Sequence, residues 1–231
     1  MAGQLRTVIL RMLTVGLISI LGWTASPGLV SAEETAKRSR FKGDVVLVRG
    51  GFNVFSEGLD TIAGKLAKKG IEARVYRHRE VETIFKSILT NQKKFGRRPI
   101  ILVGHSWGAN AILRVAEKLK KRRMKVRYMV TIAATNPDPA PRNIQKLTNY
   151  YFKKNGWGEP VRAGAGFRGN LKNIDMSSKS EVHHFNVDEH PKLQSQIINN
   201  VVRFLRVKKY AQQKSNSLIT YSAAVGTRPA G

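Results

Sequence analysis

An α/β fold with a mostly parallel central sheet is what this 231-residue sequence predicts, on three observations. Continuous apolar, β-branched runs such as Val45-Val46-Leu47-Val48 and Ile100-Ile101-Leu102-Val103 have the character of strands buried on both faces. Between them lie stretches whose apolar residues recur at helical spacing, and strand and helix in alternation build βαβ units. The pentapeptide Gly104-His105-Ser106-Trp107-Gly108 then joins one such strand directly to one such helix.

The first buried strand is expected at 44–48, ending in the glycine-rich bend Arg49-Gly50-Gly51-Phe52-Asn53. The stretch 56–70 predicts a helix, with Ser56 as its N-cap and Leu59, Ile62, Ala63 and Leu66 on one face. Lys68-Lys69 suit its C-terminal dipole, and Gly70 suits a left-handed stop. A more exposed strand follows at 71–76, and Val81, Ile84, Phe85, Ile88 and Leu89 mark a second helix closed by Gly96. Residues 109–119 continue from the pentapeptide as a third helix, and 126–134 as a further strand.

Beyond Ala134 the pattern weakens. Pro137, Pro139 and Pro141 impose a loop. Short strands are expected at 148–152 and 173–176, with a glycine-rich surface loop over 156–170 between them. A final helix over 191–207 is faced by Leu193, Ile197, Ile198, Val201 and Leu205, and Asp188 is placed to cap it. The chain is read as one domain over 43–207, with a charged linker at 33–42 and a disordered polar tail at 208–231.

Residues 1–32 have the pattern of a signal peptide: Arg6 and Arg11, an apolar stretch at 12–23, and the small residues of Val30-Ser31-Ala32. This predicts export with cleavage after Ala32, and a bacterial periplasm fits it best; an uncleaved anchor is the other reading. Cleavage would remove only two positive charges from a net charge of +26. So cationic a chain attracts polyanions. Its basic residues are nevertheless scattered in short groups at helix ends and loops, without an arginine-rich helix or an aromatic-plus-basic sheet signature. A surface suited to anionic lipid or cell-envelope polymer is therefore expected rather than specific nucleic-acid binding. The chain has no cysteine, which excludes thiol catalysis and cysteine-ligated zinc. No His-Glu-x-x-His motif or ligand-spaced carboxylate cluster suggests a metal, and no cofactor is expected.

Gly-x-Ser-x-Gly between a buried strand and a helix is the context of a nucleophile elbow, with Ser106 lifted above the sheet edge. Gly104 and Gly108 flank it because side chains there would collide with the turn or the neighbouring strand. The helix that starts at the elbow directs backbone N–H groups and positive dipole at an oxyanion forming beside Ser106. The Trp107 amide and one from the Gly51-Phe52 bend, most plausibly that of Phe52, would form the oxyanion hole. A serine needs a histidine base, and His78, His105, His183, His184 and His190 are the candidates. Chain order points to the C-terminal cluster.

The sequence resembles the α/β-hydrolase superfamily in the order glycine-rich bend, elbow, acid-bearing loop, histidine before the last helix. Arg-Gly-Gly-Phe-Asn-Val-Phe-Ser, Gly-His-Ser-Trp-Gly-Ala, Asn-Tyr-Tyr and His-Phe-Asn-Val-Asp look like a small bacterial branch described as thioesterase- or lipase-like, over roughly residues 43–207. The resemblance implies a three-layer sandwich with reduced N-terminal strands, and an acyl-serine mechanism with His184 as base and His183 as fallback. It places the acid just after the strand following the elbow or one strand later. Alanines stand at the first of these positions, so Asp138 is the first choice and Asp175 the second.

The expected activity is cleavage of a small-molecule or lipid carboxylic ester, with thioesters less accessible to an exported protein. Acyl transfer would use the same residues. A catalytically silent hydrolase fold holding an anionic envelope polymer or lipid is the rival reading, which the missing acid favours.

Overall fold

The computed structural model describes residues 42–51, 56–154, 157–178 and 181–205. The signal-peptide stretch, nearly all of the linker, the polar tail and Phe52 lie outside these residues.

Six parallel strands form one sheet in the order β2-β1-β3-β4-β5-β6. They are β1 (Asp44–Arg49), β2 (Ala73–Arg77), β3 (Ile100–His105), β4 (Tyr128–Ile132), β5 (Lys146–Tyr151) and β6 (Asn170–Asp175). The helices are α1 (Glu57–Ala67), α2 (Val81–Phe95), α3 (Trp107–Lys121) and α4 (Pro191–Phe204). The sheet is wholly rather than mostly parallel among the described residues.

Strand alternation divides the core in two and makes the molecule a three-layer sandwich. Val45 and Leu47 of β1, with Ile101 and Val103 of β3, pack against α1 and α4 through Leu59, Ile62, Ile197 and Val201. Val46 and Val48, with Leu102, turn to the other face and meet α2 and α3 through Ile84, Ile88, Ile112 and Val115. Gly70 and Gly96 have positive φ (69° and 79°) at the helix stops where the sequence places them.

Four expectations change. The strands expected at 148–152 and 173–176 are longer and begin earlier, as β5 and β6; β6 is an edge strand whose Leu171 and Ile174 are only half-buried among exposed polar residues, so it lacks a buried run. The stretch 156–170 is not simply a surface loop: Val161 is buried, Gly158 lies against Ala133, and Asn149 and Asn173 bond its backbone. Ser56 stands at the N-cap position of α1 but makes no side-chain cap. Asp188 does not cap α4 either. His190 does so, accepting from the Leu193 amide at 3.4 Å, while Asp188 lies fully buried in a 3-10 turn, Val187–Glu189.

Candidate active site

Ser106 stands at the junction of β3 and α3, with φ 55° and ψ −123°. This is a strained conformation for a residue with a side chain, costing about 1–3 kcal/mol. Its neighbours explain why the strain persists. The Ser106 amide donates to Ile132 O at 2.8 Å, and Ser106 O accepts the Ala109 amide at 2.9 Å, so strand and helix hold the turn from both sides. A Cβ on Gly104 would lie 2.4 Å from Gly108 O, and one on Gly108 would lie 2.0 Å from Val48 O. The first glycine makes room for the turn and the second for β1.

The bend after β1 closes over the elbow. A Cβ on Gly50 would come within 2.9 Å of Ser106 Cβ, and one on Gly51 within 2.8 Å of the Trp107 indole. Gly51 is thus bare to seat the Trp107 ring as well as to bring main chain near the site. His78 Nδ1 donates to Gly50 O at 3.1 Å, and its ring meets Trp107 edge-on at 5.1 Å, which pins the bend from β2. Phe52, the expected second oxyanion donor, lies outside the described residues.

His184, delivered by the turn before α4, places Nε2 3.0 Å from Ser106 Oγ. Its Nδ1 lies 3.0 Å from the main-chain carbonyl of Trp157. A carbonyl oxygen only accepts, so Nδ1 carries the proton and the Nε2 lone pair faces the serine hydroxyl. Trp157 and Phe185 each meet the imidazole edge-on at 5.1 Å. Burial among them holds the His184 pKa below the usual histidine value, the Trp157 carbonyl acting in the opposite sense and the neighbouring His183 adding a smaller downward push. His183 itself is exposed and accepts the Phe185 amide through Nδ1, away from Ser106.

Neither expected acid reaches His184. Asp138 is exposed in a shallow groove beside α3 with Arg114, Glu117 and Lys118. Asp175 is exposed at the end of β6, accepting the amides of Ser177 at 2.9 Å and Lys153 at 3.3 Å. The assignment of either as the partner of His184 is therefore revised: a main-chain carbonyl takes that position, for which a sequence carries no residue-type signal.

Behind the elbow lies a second buried network. His105 Nε2 donates to the main-chain carbonyl of His184 at 2.7 Å, which fixes the opposite tautomer and leaves Nδ1 as acceptor. Ser56 Oγ, which accepts the Gly50 amide at 3.1 Å, donates its proton to His105 Nδ1 at 2.9 Å. Asp188 Oδ1 is 3.7 Å from the same nitrogen. Neither Asp188 oxygen has a hydrogen bond of ordinary geometry. Burial pushes its carboxyl up to about 7, opposed weakly by nearby main-chain amides that include those of Gly58 and Leu59. Ser56 and Asp188 were expected as helix caps; their pairing with a site histidine follows only from the fold that brings α1, β3 and the turn before α4 together.

Ser106 and His184 open into a cavity of about 190 Å³, lined also by Ser56 and His105 and, at its mouth, by Gly51, Thr135 and the aromatic side chains of Trp107, Trp157 and Phe185. The three aromatic residues are 43 %, 53 % and 41 % exposed respectively, so the mouth is an apolar rim open to incoming ligand. Among the described residues no cluster of three or more His, Cys, Asp or Glu is arranged to hold a metal ion.

No family model and no curated protein sequence matches the chain. Solved structures do. An extracellular α/β-hydrolase from a Paenibacillus species, described as sharing structural and functional homology with tobacco salicylic acid binding protein 2, is 25 % identical with a TM-score of 0.29. That match covers 42 % of this chain and only 43 % of the Paenibacillus chain. A YdeN-like hydrolase from Pectobacterium atrosepticum is 14 % identical with a TM-score of 0.42, over 76 % of this chain and 96 % of that one. Both of these solved structures are described as hydrolases.

Proposed function

We propose that the protein is an exported serine hydrolase that cleaves a carboxylic ester through an acyl-Ser106 intermediate. The observation that carries this reading is the 3.0 Å approach of His184 Nε2 to Ser106 Oγ, with the Trp157 carbonyl holding the imidazole in the tautomer a general base needs.

Ser106 Oγ attacks the ester carbonyl carbon while His184 Nε2 takes the hydroxyl proton. The carbonyl oxygen gathers negative charge, to be met by the Trp107 amide and the positive end of the α3 dipole. Collapse of the tetrahedral adduct breaks the bond to the alcohol oxygen, which receives the proton from His184. Water then attacks the acyl-serine, His184 again taking a proton, and the acid leaves as Ser106 recovers its own.

A carboxylate beside the histidine supplies two things, the correct tautomer and charge stabilisation of the imidazolium. The Trp157 carbonyl supplies the first and part of the second. Turnover slower than that of a full triad is the expected consequence. The cavity is small, about 190 Å³, and is rimmed by aromatics, which favours a short apolar acyl group.

Purified protein offered p-nitrophenyl esters of graded chain length should hydrolyse the short members, and Ser106→Ala should lose that activity. Equal background rates for both would refute ester cleavage. The silent-fold reading has one specific observation in its favour, that a main-chain carbonyl rather than any carboxylate of the described residues meets His184 Nδ1, and it predicts that equality.

A further inference from the structure

We propose that the edge of the sheet opposite Ser106 carries an anion-binding cleft, which takes phosphate groups of a soluble linear polyphosphate-type polymer. The inference is independent of the hydrolase reading.

The parallel strands put Ser106 at their C-terminal edge and the loops leading into β3 and β4 at the other edge. These two loops meet there: the Arg127 amide donates to Ile100 O at 2.8 Å. Residues 91–99 contribute four Lys or Arg and residues 120–127 six, with no Asp or Glu in either. Between them lies a concavity of about 330 Å³ lined by Arg97, Arg98, Arg123, Lys125 and Gln92, together with buried Ile100 and half-buried Met124. All four basic side chains are exposed, and no carboxylate lines the cleft.

Both walls are held in place before any ligand arrives. Gln92 accepts the Arg98 amide at 2.9 Å and donates to Arg98 O at 3.2 Å and to buried Asp44 at 2.6 Å, fixing the Arg97-Arg98 turn. On the other wall, the Arg123 and Met124 amides bond Lys120 O and Leu119 O at 2.9 and 3.0 Å. Arg123 itself has φ 54°, the left-handed position after a helix that Gly70 and Gly96 fill after α1 and α2. Guanidinium groups carried on main chain fixed in this way suit phosphate oxygens, which they bind in pairs.

What the cleft lacks narrows the partner. Among the described residues the exposed large apolar side chains are Trp107, Trp157 and Phe185, all at the catalytic mouth. The cationic edge thus offers no aromatic platform for stacking bases and no apolar wedge for a bilayer. The exposed side chains of the cleft are its four cations, and a protein docked by them would leave the catalytic mouth facing away from the polymer.

The test is binding of fluorescently labelled long-chain inorganic polyphosphate to the full chain. Its affinity should fall about tenfold between 50 and 200 mM NaCl. Arg97→Glu/Arg98→Glu/Arg123→Glu should weaken binding at least tenfold. Lys154→Glu/Arg162→Glu/Lys192→Glu, an equal charge change at exposed positions outside the cleft, should weaken it less than threefold. An unaltered melting temperature in both variants establishes that they are folded. Equal losses in the two variants, no binding by wild type, or tighter binding of duplex DNA at equal phosphate concentration would each overturn the proposal.

Discussion

Two histidines with ring centres 5.3 Å apart meet at the elbow, and their hydrogen-bond partners differ. Both rings border the same cavity, His184 beside its aromatic rim and His105 with Ser56, but His105 is packed more deeply, against Asp188. Each ring gives one N–H to a main-chain carbonyl, but a different one. His184 spends Nδ1 on Trp157 and keeps Nε2 for Ser106, whereas His105 spends Nε2 on His184 and keeps Nδ1 for Ser56. Backbone carbonyls, rather than charged partners, thus decide which histidine can act as the base and which positions it.

The sharpest way to break this comparison is to remove each ring. His184→Ala should lower the rate of fluorophosphonate labelling at Ser106 about 10²–10⁴-fold, the usual contribution of a general base. His105→Phe should lower it less, about 10–100-fold, by letting the His184 main chain shift. The same variant should be destabilised by about 1–3 kcal/mol, since the His184 carbonyl loses a buried donor. A larger labelling loss in His105→Phe than in His184→Ala, measured on folded protein, would reverse the assigned roles.

The buried region also makes a pH prediction. Asp188 has a carboxyl raised to about 7 in the fold against about 3.9 in the unfolded chain. Between those values the folded state holds the extra proton, so this group's effect on stability becomes less favourable as pH rises from about 4 to 7 and is constant above. The groups beside it, His105 and Glu189, remain in Asp188→Asn. That variant should raise the stability at pH 8 relative to that at pH 4 by up to ~4 kcal/mol compared with wild type, read from urea unfolding at each pH. An unchanged difference would mean that Asp188 is charged throughout this range. The smallest expected effect is at the elbow: Ser106→Gly should gain about 1 kcal/mol from relief of the positive φ while abolishing labelling.

Legibility followed the range of the forces. The elbow could be read because its constraints are local and steric, two glycines whose missing Cβ atoms make room for Gly108 O and Val48 O. Strands β1 and β3 could be read because burial on both faces demands unbroken apolar runs. His184 needed chain order and a family resemblance to be separated from His183. Its partner could not be read at all, since any residue could have supplied the carbonyl of Trp157. Ser56 and Asp188 misled for a related reason: a short polar residue before a helix usually caps it, and only the tertiary fold turns these two toward His105. The anchoring of the surface loop at Gly158 and Val161 escaped notice because its glycines suggest an open loop, whereas Gly158 lies against Ala133 and Asn173 bonds the Val161 main chain.

The central claim is that His184, held by a carbonyl, activates Ser106. It is tested most directly by fluorophosphonate labelling of the purified protein, with the modified residue located by mass spectrometry. The account predicts a single adduct on Ser106, formed at a rate that His184→Ala lowers by at least a hundredfold. A folded protein that takes up no label at Ser106, or labels equally fast without His184, would contradict it.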